Sequence, residues 1–153
     1  MSERDRFPRG NVALALAAAL LASSLGAEEA AYKVIINAGN PATSLKREQV
    51  AQLFLSRKTA WSHGPAGDAV DQSMTSPVRD AFSREVLGMP ALGVQNHWRK
   101  RLLETKEFPP LVKATDADVI AHVSKVAGGV GYVSAAASLP DTVKVLQIPD
   151  AIR

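Results

Sequence analysis

The 153-residue sequence contains no cysteine. Disulfides, thiolate metal sites and a cysteine nucleophile are therefore excluded. The fold must rest on its core, without covalent staples. Aromatic residues are scarce, at 5% of the chain, so no platform for stacking nucleic-acid bases is evident. Net charge is a modest +3, and basic residues are scattered apart from Arg99-Lys100-Arg101. That triplet reads as the solvated face of a helix, and no nucleic-acid partner is expected. A membrane-spanning helix needs about 20 apolar residues. The uncharged run from Val12 to Leu25 has only 14.

That run has a different reading. Arg4, Arg6 and Arg9 precede it, and the small-residue stretch Ala22-Ser23-Ser24-Leu25-Gly26-Ala27 closes it. A basic start, a short apolar centre and a small-residue end make a secretory leader. A cut after Gly26 puts Ser24 and Gly26 at the recognised small positions, whereas a cut after Ala27 would put Leu25 there. The chain thus divides into a signal peptide over 1–26 and one domain over 27–153, in the periplasm or otherwise exported. The alternative for the run is a buried helix or a short anchor. Loss of Glu3, Asp5 and the three arginines would lower the net charge to about +2.

Strand and helix patterns alternate along the remainder, which points to an α/β layer fold with a sheet of about four or five strands. Tyr32 to Asn37 is rich in β-branched residues and reads as a strand, ended by Ala38-Gly39-Asn40-Pro41. Ser44 is placed to cap a helix carrying Leu45, Val50, Leu53 and Phe54. A loop with Trp61 follows, then a short strand at Asp68 to Asp71. Ser76-Pro77 opens a second helix, on which Val78, Phe82 and Val86 recur every four residues, and Gly88 closes it. Pro90 starts a third helix, and Phe108-Pro109-Pro110 breaks the chain. Thr115 caps a fourth helix, with Asp118 three residues on. Val130 to Val133 and Val143 to Ile148 read as further strands. Helices between strands favour parallel pairing, with Val34 to Ile36 and Val130 to Val133 inside the sheet.

Few residues suggest catalysis. His63, His97 and His122 have no metal-ligand spacing, and no nucleophile elbow, P-loop or dinucleotide fingerprint occurs. No enzyme activity, metal or cofactor is expected. Trp61 and Trp98 read as packing residues. The best site is the helix start at Thr75-Ser76-Pro77-Val78-Arg79. Free first-turn N–H groups and the positive dipole end attract anions. The Thr75 and Ser76 hydroxyls can donate to an oxyanion, and Arg79 can pair with it. The alternative is a plain cap at Ser76 with Arg79 as a surface charge.

The order of these segments resembles the phosphate ABC transporter substrate-binding proteins. Val34-Ile35-Ile36-Asn37, Asn40-Pro41, the helix ending Leu53-Phe54-Leu55-Ser56-Arg57-Lys58 and the later Trp61 are similar to one stretch of that family. Ser56 stands where the family has glycine. Arg79 to Phe82 aligns with the residues after its Gly-Ser-Gly-Thr motif, which places Ser76 on the serine. Ala127-Gly128-Gly129-Val130-Gly131-Tyr132-Val133 is similar to its Pro-Gly-Ala-Ile-Gly-Tyr-Val. The resemblance runs from about residue 32 to 148 and covers one lobe of a two-lobed family. It implies a single lobe of a type II periplasmic-binding-protein-like fold, with a mainly parallel central sheet flanked by helices. It further implies binding of inorganic phosphate or a related oxyanion at Ser76, beside which the local reading of the helix start puts Thr75 and Arg79, and service to a membrane transporter. Thr75, Pro77 and Val78 replace the two glycines and the threonine of the motif. The family's upstream arginine falls on Gln72 and its acid on Met74. These losses favour a second reading, an accessory protein that docks on a membrane sensor, porin or transporter component.

The leader carries its own test. Exported material should have the intact mass of a chain beginning at Ala27, and a mass that retains Met1 to Gly26 would contradict the reading.

Overall fold

The structure is a computed structural model that describes residues 30–57, 61–62 and 64–150. The leader, Lys58 and His63 lie outside the described residues. Among the described residues, five strands form one sheet: β1 (Tyr32–Asn37), β2 (Asp68–Gln72), β3 (Leu111–Lys113), β4 (Gly129–Ser134) and β5 (Val143–Val145). Four helices accompany them: α1 (Arg47–Leu55), α2 (Arg79–Phe82), α3 (Ala91–Thr105) and α4 (Asp116–Lys125). The strand order is β3-β2-β4-β1-β5. β2 is parallel to β3 and β4, while β1 is antiparallel to β4 and β5. Four strands thus run one way and β1 alone opposes them. Two of the four pairings are parallel and two antiparallel, so the sheet is mixed, and the first strand corrects the expectation of parallel pairing.

Alternation along β1 and β4 builds two cores. Val34, Ile36, Val130 and Tyr132 face α1, α2 and α3, where they meet Val50, Phe54, Phe82 and Trp98. Phe82 stacks on Tyr132 with ring centroids 4.0 Å apart, and Phe54 lies 4.8 Å from Phe82. Ile35, Val70 and Val133 face the other way, onto Val119 and Val123 of α4. Both interior segments are buried as expected. No helix among the described residues is long and apolar enough to cross a membrane.

Local signals worked where one side chain satisfies one backbone group. Thr115 caps α4 by accepting from the Asp118 amide at 3.1 Å. Gly88 ends the second helix in the left-handed region, at φ 73°. Other signals failed. Ser44 does not cap α1, since it pairs as a bridge with Gln147 and Lys46 is the N-cap. The helix expected from Ser76 starts only at Arg79, and beyond Phe82 it widens into a π turn over Ser83–Leu87. Pro90 does start α3, but the Ala91 amide is met from α2, by Asp80 at 3.0 Å. That bond, with help from Arg84, holds the exposed Asp80 carboxyl below its ordinary pKa. The short strand β3 went unseen because three residues after two prolines give no periodicity.

Gly128 marks a place where two backbones nearly touch. Its carbonyl accepts from the Asp68 amide at 2.9 Å and from the Trp61 indole at 3.0 Å. A Cβ there would lie 2.0 Å from the Ala66 carbonyl oxygen. Gly128→Ala should therefore lower stability in urea unfolding by about 1–3 kcal/mol, the usual cost of overpacking. An unchanged midpoint would show that the Ala66 loop yields freely.

Candidate functional site

The chain leaves β2 at Gln72 between two sets of helices. The crossover from β2 to β3 runs through α2 and α3 on one face, and the return from β3 to β4 runs through α4 on the other. The carboxyl end of a strand at such a place is where open α/β sheets hold their ligands.

Four buried polar residues meet there. Asp71 and Arg79 are 6% and 5% exposed, and Gln72 is 2% exposed. Arg79 Nη2 lies 2.8 Å from Asp71 Oδ2, and Arg79 Nη1 donates to the Gln72 carbonyl. The Tyr132 hydroxyl donates to Asp71 Oδ1, which also accepts the Gln72 amide at 2.8 Å. The Gln72 side chain donates to the Tyr132 carbonyl at 2.7 Å and to Asp116 Oδ1 at 3.0 Å, and its oxygen accepts from Ser76 Oγ. Asp116 is the first residue of α4, so Gln72 ties the two helix starts to the sheet.

Burial raises the Asp71 carboxyl above its ordinary pKa; the Arg79 charge, the Tyr132 hydroxyl and the Gln72 amide partly offset this. Burial, with the Asp71 charge and hydrogen bond, drives the Tyr132 phenol strongly upward, so it stays a neutral donor.

The network opens into a cleft of about 510 Å³ between α3 and the β2–β3 rim. Gln95, Trp98, Arg99 and Leu102 line it from a single face of α3, at spacings of three and four. Asp71, Ser73, Met74 and Arg79 line the β2 side, and Pro109, Pro110 and Val112 the β3 side. Arg79 Nε is buried and has no hydrogen-bond partner.

Of the three expected site residues, only Arg79 lines the cleft. It is no surface charge: it is buried and paired. Ser76 is no cap, because its hydroxyl turns to Gln72 and Val78 holds the N-cap position without a side-chain bond. Thr75 is exposed and its hydroxyl pairs with Ser73 Oγ at 3.0 Å. Sequence reasoning missed Asp71, Tyr132 and Ser73. The available signal for Asp71 was an acid directly after the apolar pair Ala69-Val70 in a short strand.

No protein-family model and no curated protein sequence matches this chain. Among solved structures the chain is similar to an ABC-type phosphate transport receptor from Vibrio cholerae, at 20% identity and TM-score 0.61, over 80% of this chain and 47% of that one. A putative phosphate ABC transporter substrate-binding protein from Clostridium perfringens, solved with bound phosphate, is similar at 17% identity and TM-score 0.62, over 80% and 46%. PstS from Borrelia burgdorferi is similar at 14% identity and TM-score 0.59, over 80% and 49%. The likeness is one of fold. This chain spans about half the length of each neighbour and has the architecture of a single lobe of the type II periplasmic-binding-protein-like fold.

The raised Asp71 pKa has a definite sign in stability. The native state holds this proton more tightly than the unfolded chain does. Its contribution is therefore complete below the ordinary carboxylate pKa and is lost as pH rises through the raised native value. In urea unfolding from about pH 4 to about pH 8, wild type should lose stability relative to Asp71→Asn. A constant difference between the two would contradict the raised value.

Proposed function

We propose that this chain is an exported, non-enzymatic solute-binding-like lobe that takes phosphate or a related oxyanion in the cleft beside Arg79. One observation carries the reading: Arg79, buried and with its Nε unpartnered, lines a cleft at the carboxyl end of β2. A guanidinium presents donors in a fixed fork that suits oxyanions, and its Nε–H is costly to leave without an acceptor. Asp71 and the Gln72 carbonyl fix the orientation of the fork. Ser73 adds a hydroxyl at the cleft wall, oriented by Thr75, while Ser76 acts through Gln72 as a positioning residue. The phosphate-binding neighbours of similar fold support the ligand class, and service to a membrane transporter follows from the same likeness. Asp71 already answers the Arg79 charge, so affinity is modest, on the order of micromolar to millimolar.

A second reading rests on a separate observation. Phe108, Leu111 and Val112 are exposed along the β3 rim, with Met74 exposed beside the cleft. Exposed apolar side chains gathered on one rim suit a protein partner, such as a membrane sensor, porin or transporter component.

Calorimetry and thermal unfolding with phosphate, sulfate and methylphosphonate at matched ionic strength test the first reading. A bound anion raises the melting temperature by mass action. Truncating Arg79 to alanine would strand Asp71 and cost about 3–5 kcal/mol of stability, which obscures binding. Arg79→Lys keeps a cation beside Asp71 but loses the fork. The expected outcome is binding by wild type and at least tenfold weaker binding by Arg79→Lys, about 1.4 kcal/mol. Equal affinities would remove Arg79 from the site. Failure of every oxyanion to bind would overturn the reading in favour of the docking protein.

A further inference from the structure

The walls of the cleft carry information about its ligand beyond the charge of the headgroup. The geometry points to an organic oxyanion as the ligand: a phosphonate, sulfonate or carboxylate group carried on an apolar ring or short chain, with inorganic phosphate bound more weakly. This rests on the oxyanion reading above and narrows it.

Size is the first argument. A cleft of about 510 Å³ lies within the range of roughly 300–1,000 Å³ typical of small-molecule pockets, well above what one small ion needs. The second argument is the lining. Trp98, Leu102, Pro109, Pro110, Val112 and Met74 supply apolar wall on three sides of the cleft. Trp98 donates its indole N–H to the Phe54 carbonyl at 3.2 Å, so that donor is turned to the protein. Inorganic phosphate has four oxygens and needs donors all around it. Here the donors Ser73, Arg79, Gln95 and Arg99 alternate with apolar wall, and an ion set against that wall would lose water with nothing in exchange. A ligand with an apolar body gains from the same walls, at about 25 cal/mol per Å² of apolar surface buried.

Charge gives the third argument. Two guanidiniums, Arg79 and Arg99, and one carboxylate, Asp71, line the cleft. Arg99 is exposed, and among the described residues its contact is a long one of 3.5 Å with the neutral Asn96. One positive charge is left over, which matches a singly charged headgroup better than a doubly charged ion. Asp71 sits against the headgroup end and disfavours a second negative charge there. Gln95, on the same face of α3 as Arg99, adds a neutral donor and acceptor at the cleft wall.

Calorimetric titration of the full domain with four probes decides the matter: phenylphosphonate, methylphosphonate, inorganic phosphate and benzyl alcohol, at about pH 6 where both phosphonates are mainly singly charged. The expected order is phenylphosphonate tightest, at least tenfold above inorganic phosphate, with benzyl alcohol not binding. Leu102→Gln and Val112→Thr, both on partly or fully exposed positions, should each weaken phenylphosphonate several-fold and leave inorganic phosphate unchanged. Equal affinity for phenylphosphonate and inorganic phosphate would overturn this inference and leave the oxyanion reading standing. Binding of benzyl alcohol as tight as phenylphosphonate would overturn both, because the charged headgroup would then contribute nothing. Absence of binding by all four probes would also overturn both.

Discussion

Arg79 and Asp71 form an ion pair that is almost wholly removed from water, and much of the lobe is arranged around keeping it satisfied. Two charges taken from water cost several kcal/mol each unless further hydrogen bonds complete their shells. Asp71 has those bonds, from the Tyr132 hydroxyl and the Gln72 amide. Supplying them fixes much else. Tyr132 must lie flat against Phe82, which places the core-facing side of β4 against α2. Gln72 must stay at the end of β2, where its side chain reaches Asp116 and so sets the start of α4. Arg79 stands on the first turn of α2, from which its side chain reaches back to the end of β2. The pair is poor evidence of stability by itself, but it specifies how three elements join.

The shell around Arg79, a residue that lines the cleft, is left incomplete at the buried Nε. Native structures rarely leave a buried donor without an acceptor, and each exception calls for an explanation such as a role in binding or catalysis. The lobe thus combines a hydrogen-bonded polar base with a wall that is largely apolar. The base is built from a strand end and a helix start, and the wall from α3 and the three-residue β3. A hydrogen-bonded base sets the orientation of a charged group, while the wall contributes area more than direction.

How much of this could be read from the residues depended on distance along the chain. The interior strands were legible because Val34 to Ile36 and Val130 to Val133 are continuous apolar runs between breakers, a signal confined to a few neighbours. The Thr115 cap was legible for the same reason, its partner being three residues away. Ser76 was misread because its true partner, Gln72, lies in the preceding strand, and a cap motif gives no hint of that competition. Arg79 was given the wrong environment, as a charge free to meet solvent. Its burial depends on Asp71 and on Tyr132, the latter 53 positions onward, and no local pattern connects them. The opposed direction of β1 was equally hidden, since its partners β4 and β5 lie far along the chain and no local pattern fixes the sense of that pairing.

The two rims of the sheet have a bearing on how copies of the lobe behave when crowded. The interior strands run five or six residues, but β3 and β5 at the rims have three each. An intruding strand could gain only a few ladder bonds at either rim. Pro110 stands immediately before β3 and Pro149 lies shortly beyond β5, and neither can donate a backbone hydrogen bond. Short, proline-flanked rims are a recognised defence against edge-to-edge aggregation. The lobe can therefore present apolar side chains along the β3 rim while its backbone remains a poor template for fibrous growth.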